Sequence, residues 1–222
     1  MKVLVACEES QAVCKAFREL GHEAYSADIQ ECSGGHPEWH IHGDVLPYIN
    51  GDCVFTTMDG KTHDIIGKWD LLIAHPPCTY LSNAGARHLW KNHELNVQRY
   101  KLGLEGKNFF MKFYNAECPR IAVENPIPSK IYELPERTQI IQPYEYGHPY
   151  SKKTCLWLKG LPPLRPTNII PKENRQSTTI AGNWFNKGGK DRAKNRSKTF
   201  DGIAAAMAEQ WGGRANGSRE TV

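Results

Sequence analysis

The stretch Lys2-Val3-Leu4-Val5-Ala6-Cys7-Glu8-Glu9-Ser10-Gln11-Ala12-Val13-Cys14-Lys15-Ala16-Phe17-Arg18-Glu19-Leu20-Gly21-His22-Glu23-Ala24-Tyr25-Ser26-Ala27-Asp28 decides the fold. Lys2–Cys7 is a short apolar run with β-branched residues and reads as a buried strand. Over Ser10–Leu20, Val13, Phe17 and Leu20 fall on one helix face, and Gly21 ends the helix. Glu23–Ala27, closed by Asp28, reads as a second strand. Strand, helix and strand in this order open a βαβ unit. The alternation then continues. Trp69–Ala74 is a strand stopped by His75-Pro76-Pro77, and Leu95–Asn115 is a helix. Arg120–Val123 is a strand stopped by Glu124-Asn125-Pro126. Gln139–Gln142 and Thr154–Leu158 are two more strands, and Phe200–Trp211 is an Ala-rich helix ended by Gly212-Gly213. Residues 32–67 read as irregular, except for a hairpin of Val54–Thr57 and Thr62–Ile66 whose Asp59-Gly60 suits a type I′ turn. The pattern predicts an α/β fold with a mostly parallel central sheet and helices on both faces. In such sheets functional groups gather beyond the strands' C-terminal ends. That rule singles out Cys7–Gln11, Asp28, His75–Cys78 and Glu124–Pro126.

Composition sets the limits. The chain has 222 residues, 40% hydrophobic and 23% charged, enough for one sizeable core and against disorder as the main state. Residues 1–212 read as one domain and 213–222 as a flexible polar tail. No apolar run nears the ~20 residues of a membrane span, and Val3–Ala6 is too short for a signal peptide's apolar region. A cytoplasmic protein with reduced thiols is expected, because its seven cysteines include no Cys-x-x-Cys pair. The net charge of +4 hides an asymmetry: residues 1–149 sum to −5 and residues 150–222 to +9. So basic a final third suggests an anionic partner, nucleic acid being the usual one.

Two segments could carry chemistry. In Asp70-Leu71-Leu72-Ile73-Ala74-His75-Pro76-Pro77-Cys78 a buried strand delivers a thiol to its end, and two prolines hold the approach in place. Cys78 is a nucleophile or a structural cysteine after a proline turn. In Ile121-Ala122-Val123-Glu124-Asn125-Pro126 a carboxylate ends a buried strand, where it needs a partner or a task. Glu124 is a substrate-holding acid or half of an edge ion pair. Cys32, His36, His40 and His42 have ligand chemistry, but their spacing fits no common zinc pattern, so no metal is expected.

Together these features resemble the cytosine-C5 DNA methyltransferase family, in which a Pro-Pro-Cys turn carries the nucleophile and a Glu-Asn turn holds the base. The counterparts are Pro76-Pro77-Cys78 and Glu124-Asn125-Pro126, with Ser82 and Gly85 similar to the Ser and Gly after the nucleophile. The resemblance implies a Rossmann-like methyltransferase fold with S-adenosylmethionine as methyl donor. By the resemblance, Asp28 binds the ribose, Ile29 lies beside the adenine, and Gly43-Asp44-Val45 contacts the adenine. The cofactor pocket then draws on Cys7, Glu8, Glu9, Ser10, Asp28, Ile29, Asp44 and Pro76, with Glu8 or Glu9 facing the methionine ammonium group. Substrate is held by Ser82, Asn125, Pro126, Lys152, Lys153 and Thr154. Tyr146-Gly147-His148-Pro149-Tyr150-Ser151-Lys152-Lys153-Thr154 resembles the family's Tyr-Gly-Val-Pro-Gln-x-Arg-x-Arg segment, and Phe200–Trp211 the terminal helix.

Three departures stand out. The family's glycine-rich first loop is Ala6-Cys7-Glu8-Glu9-Ser10-Gln11, with no glycine. Thr154 stands where an arginine helps hold the base. The family's large target-recognition domain is reduced to the 40 residues 159–198, as in a reduced, phage-like form. That insert carries Lys187, Lys190, Arg192, Lys194, Arg196 and Lys198 beside Trp184 and Phe185, types suited to phosphate contact and base stacking. The expected reaction is methylation of cytosine C5, in DNA by preference. The rivals are the same chemistry on a free cytosine nucleotide and an inactive fold that only binds nucleic acid or protein. A protein partner for sequence recognition and a homodimer stay open. If phage-encoded, the protein works in the bacterial host's cytoplasm.

Overall fold

The computed structural model describes residues 1–177 and 198–214. Val3 to Ala6 of β1 (Lys2–Ala6) are fully buried, which requires neighbours on both edges and cover on both faces. α1 (Ala12–Glu19) turns Val13, Cys14 and Phe17 inward, and β2 (Glu23–Asp28) returns parallel to β1. β3 (His40–His42), inside the region read as irregular, adds parallel to β2. A hairpin of β4 (Cys53–Thr56) and β5 (Thr62–Ile65) follows, then β6 (Leu71–Ala74), which pairs with the other edge of β1. β7 (Trp90–Lys91) and β8 (Glu94–Leu95) form a small hairpin before α2 (Val97–Tyr114). β9 (Ile121–Pro126), β10 (Gln139–Ile141), β11 (Tyr150–Ser151), β12 (Thr154–Lys159) and β13 (Gln176–Ser177) come next. α3 (Asp201–Met207) closes the described chain, running into a π turn over Ala208–Gly212.

The central sheet has seven strands in the order β10-β12-β9-β6-β1-β2-β3. β3, β2, β1, β6 and β9 are parallel; β12 is antiparallel to both β9 and β10. This is the expected α/β architecture, a mostly parallel, Rossmann-like sheet with helices on both faces. The chain order reverses between β1 and β6, so the crevice for a ligand opens at their C-terminal ends. Alternate residues of β1 serve two cores. Val3 and Val5 pack with α1 and α3, while Leu4 and Ala6 pack with Phe110 and Phe113 of α2. Among the described residues no helix is long and apolar enough to cross a membrane.

Several expectations need correction. β9 does not stop at Val123. It runs through Glu124, Asn125 and Pro126 because β12 pairs with them, through Leu156, Cys155 and Thr154. The β4–β5 turn is not type I′: Gly60 alone is left-handed (φ 86°), and its N–H donates to Thr57 O at 2.8 Å. A type I turn followed by a left-handed glycine makes the connection. All seven cysteines are free thiols; Cys14 and Cys155 are buried in the core and the other five are half-buried, although most would be expected as small core hydrophobes.

Candidate active site

Five parallel strands end on one edge, and the chain's chemistry-bearing residues collect there. β1 delivers Cys7, Glu8, Glu9 and Ser10, β2 Asp28 and Ile29, and β3 Gly43 and Asp44. β6 delivers His75 through Cys78, and β9 carries Glu124, Asn125 and Pro126. Antiparallel β12 starts at the same edge, so Lys152, Lys153 and Thr154 arrive beside β9.

The Cys78 turn is rigid for identifiable reasons. Pro76 is buried, Pro77 exposed and Cys78 half-buried. Cys78 O accepts from Leu81 N (3.2 Å) and Ser82 N (2.9 Å). Ser82 Oγ then accepts the Gly85 amide and caps the 3₁₀ turn Asn83–His88. From α2, the Arg99 guanidinium donates to Thr79 O (3.3 Å) and Gly85 O (3.2 Å) and lies over the Tyr80 ring. Asn125, buried, donates from Nδ2 to Pro76 O at 2.9 Å. That bond clamps the Cys78 turn to the strand that carries Glu124. Asn125 Oδ1 is buried with no partner among the described residues.

Glu124 is paired. Its Oε2 lies 2.9 Å from His75 Nδ1, with 14% and 9% of the two side chains exposed. The register explains the meeting: Ala74 faces Val123 across the parallel pair, so the next residues on each strand are His75 and Glu124. Burial pushes the His75 pKa down, but the bond to Glu124, the Glu124 charge and the Glu8 charge outweigh it and hold it above its ordinary value. Burial pushes Glu124 up, and the bond to and charge of His75, helped by Lys152, outweigh it and hold Glu124 below the usual carboxylate range. Both shifts favour the imidazolium–carboxylate form of the pair. His75 was singled out by its place at a strand end, with no role attached. The signal that would have found the role was the shared β6–β9 register.

On the other half of the edge, the first loop reaches left-handed backbone without glycine, at Cys7 (φ 59°) and Gln11 (φ 58°). Glu8 is buried, and its carboxylate accepts the Val13 (2.7 Å) and Cys14 (3.1 Å) amides at the start of α1. It therefore caps the helix, a task that Ser10 and Gln11 leave undone. Glu9 is buried beside it, and Ser10 is half-buried. Asp28 accepts the Gln30 amide on one oxygen (2.9 Å), and Ile29 next to it is 77% exposed. Asp44, exposed, accepts the Leu46 amide. Burial, then the Asp28 and Asp44 charges, push the Cys7 thiol up, so these two carboxylates converge on the end of β1.

Thr154 is buried with its hydroxyl on Lys152 O (3.3 Å), and Lys153 is exposed. The Lys152 ammonium lies 5.9 Å from the Phe200 ring centroid and its charge reaches both His75 and Glu124. Lys198, half-buried, leads into α3. Lys187, Lys190, Arg192, Lys194 and Arg196, with Trp184 and Phe185, lie outside the described residues, as does 215–222. The candidate zinc ligands have other partners: His36 meets Glu38, His40 meets Ser26 Oγ and Gln30 O, and His42 meets Ile29 O. Among the described residues no group of three or more metal-binding side chains is arranged for an ion.

No family model matches the chain, and no curated protein does. Among solved structures, 52 chains match. One is a candidate DNA modification methyltransferase encoded within a prophage of E. coli, at 12% identity and a TM-score of 0.41, the match covering 77% of this chain and 52% of that one. This chain thus spans about half the length of that structure. A likeness so distant says nothing of activity; the fold rests on the strand order and register above.

Proposed function

We propose that the protein methylates cytosine at C5, with S-adenosylmethionine as methyl donor and DNA as the preferred substrate. The observation that carries this reading is the meeting of the Pro76-Pro77-Cys78 turn and Glu124 at the ends of adjacent parallel strands, clamped through Asn125 Nδ2 and Pro76 O. A thiolate adds to C6 of the ring and makes C5 nucleophilic; Cys78 supplies that thiolate. Glu124 holds N3 and the exocyclic amine, offsetting the charge that develops on the ring. Asn125 and Pro126 shape the wall beside the base, Lys152 and Lys153 meet phosphate, and Ser82 sets the turn. The C5 proton is removed to a base before the thiolate leaves.

The first half of the edge fits the cofactor. Asp28 would hold the ribose hydroxyls with the oxygen that Gln30 leaves free among the described residues. Ile29, an exposed apolar side chain with no packing role, would lie against the adenine, and Asp44 would meet the adenine edge. S-adenosylmethionine supplies an electrophilic methyl group when bound. Glu8, held on the α1 amides, supports the loop from below and leaves the ammonium group to Glu9 and Ser10.

The short segment 159–198 favours a second reading, the same reaction on a free cytosine nucleotide. Both are tested by incubating the protein with methyl-labelled S-adenosylmethionine and, in turn, duplex DNA, single-stranded DNA, RNA, dCMP and dCTP. Label is expected in DNA, and Cys78→Ala is expected to remove it. Label in free nucleotides alone selects the second reading. DNA binding with no transfer to any substrate leaves only a nucleic-acid-binding fold.

A further inference from the structure

We infer that His75 is the positioning residue and proton reservoir of Glu124, taking the place of the arginine that Thr154 cannot supply. This rests on the C5 reading above and adds to it the route by which N3 is protonated. Three observations support it. The first is the contact itself, 2.9 Å between His75 Nδ1 and Glu124 Oε2. The second is that no other hydrogen bond among the described residues reaches the ring: His75 Nε2 is buried and meets no hydrogen-bonding partner. An imidazole bound at one nitrogen only is oriented by that bond. The third is the charge around it. Glu124 faces it from β9 and Glu8 from the loop after β1, while Lys152 approaches from the segment before β12. Burial opposes the protonated ring, and the Glu124 bond and charge, with Glu8 adding to them in its ionised form, outweigh it and the Lys152 ammonium.

The step balances. The Cys78 thiolate's electron pair forms the S–C6 bond. The C5=C6 pair moves to C4–C5, and the C4=N3 pair moves onto N3. N3 takes a proton from Glu124, which takes one from His75 Nδ1. The thiolate's negative charge and the imidazolium's positive charge are both consumed, and Glu124 is again a carboxylate. When the thiolate leaves, the N3 proton returns by the same path. Glu124 touches the ring; His75 acts only through it.

The sign of the pH dependence follows. Thiolate grows as pH rises. Imidazolium is lost as pH rises through the His75 pKa, which lies above the ordinary histidine value. Addition to C6 should therefore have a bell-shaped profile. Release of tritium from [5-³H]cytosine reads this addition without any methyl donor. It is measured against pH on duplex DNA, single-stranded DNA and dCMP, for the wild type, His75→Gln and Cys78→Ser. His75→Gln keeps a hydrogen-bonding group toward Glu124 but carries no proton to give. It should exchange about 100-fold more slowly at the wild-type optimum and follow the rising limb alone. A wild type that exchanges with no falling limb overturns the relay, with no variant needed. So does a His75→Gln protein with wild-type rate and profile. No exchange by the wild type on any cytosine overturns the C5 reading and the relay with it.

Discussion

At the scale of single residues, the first loop shows what a sequence without glycine can still do. Left-handed backbone costs an ordinary residue about 1–2 kcal/mol, and Cys7 and Gln11 both adopt it. Gln11 is held there by its side chain, which donates to Ser26 Oγ and His36 O and accepts from the His36 amide. Strain kept in this way at a strand end, where a ligand crevice opens, is the usual mark of a working loop. Glu8 does the complementary job by capping α1 from four positions before it. Glu8→Ala should then cost about 2 kcal/mol, a Tm loss of roughly 4–8 °C. Glu8→Gln, which keeps one acceptor oxygen, should lose less. A Glu8→Ala protein that melts with the wild type would show that the cap is not holding the helix. None of this was legible in Glu8-Glu9-Ser10-Gln11, where serine is the better local cap. Which acid reaches the helix amides depends on how the chain leaves β1.

At the scale of elements, the sequence was most readable where burial dominates. The apolar runs of β1 and β6 and the periodic face of α1 stand within a residue or two of their expected bounds. The misses occur where a partner strand decides. β3 is three residues long and exists because β2 offers it an edge, and β9 continues past Val123 because β12 does the same. The candidate site followed this pattern: Cys78 and Glu124 were visible as residue types, whereas the His75–Glu124 bond lies in a register between strands 49 residues apart. The Arg99 staple on the Cys78 turn likewise belongs to a helix seated from elsewhere. α2 reaches that seat through Gly103, where a Cβ would run into the Tyr132 ring. Gly103→Ala should force the helix or ring to shift and cost about 2 kcal/mol, lowering Tm by roughly 4–8 °C. At Gly106, three residues on, the nearest neighbour is Leu81 Cγ at 3.3 Å, so a Cβ there asks only for a small local shift. Gly106→Ala should change Tm by less than half as much. Equal losses at both positions would mean that α2 is not seated by Gly103.

At the scale of the whole molecule, the charge asymmetry is what the sheet does not account for. The parallel core and its acidic edge residues fall in the −5 part of the chain, and much of the +9 falls on residues 159–198. Shape complementarity to a duplex takes surface, and 40 residues offer little of it. Lysine and arginine do not need that surface to bind phosphate, because their gain comes from releasing counterions. A protein that holds DNA in this way should bind it strongly at low salt and choose poorly between sequences. Replacing Lys194, Arg196 and Lys198 with glutamine should therefore weaken binding about equally for unrelated duplexes. It should also flatten the slope of log affinity against log salt by about 0.9 for each phosphate no longer neutralised. Fluorescence anisotropy of labelled duplexes between about 50 and 200 mM salt, a range where such electrostatics dominate, reads both quantities. If the slope is unchanged, these three cations do not meet phosphate, and the positive charge of the last third serves something other than DNA. If the triple variant instead loses affinity for one sequence and keeps it for another, the segment reads bases, and 40 residues suffice for recognition after all.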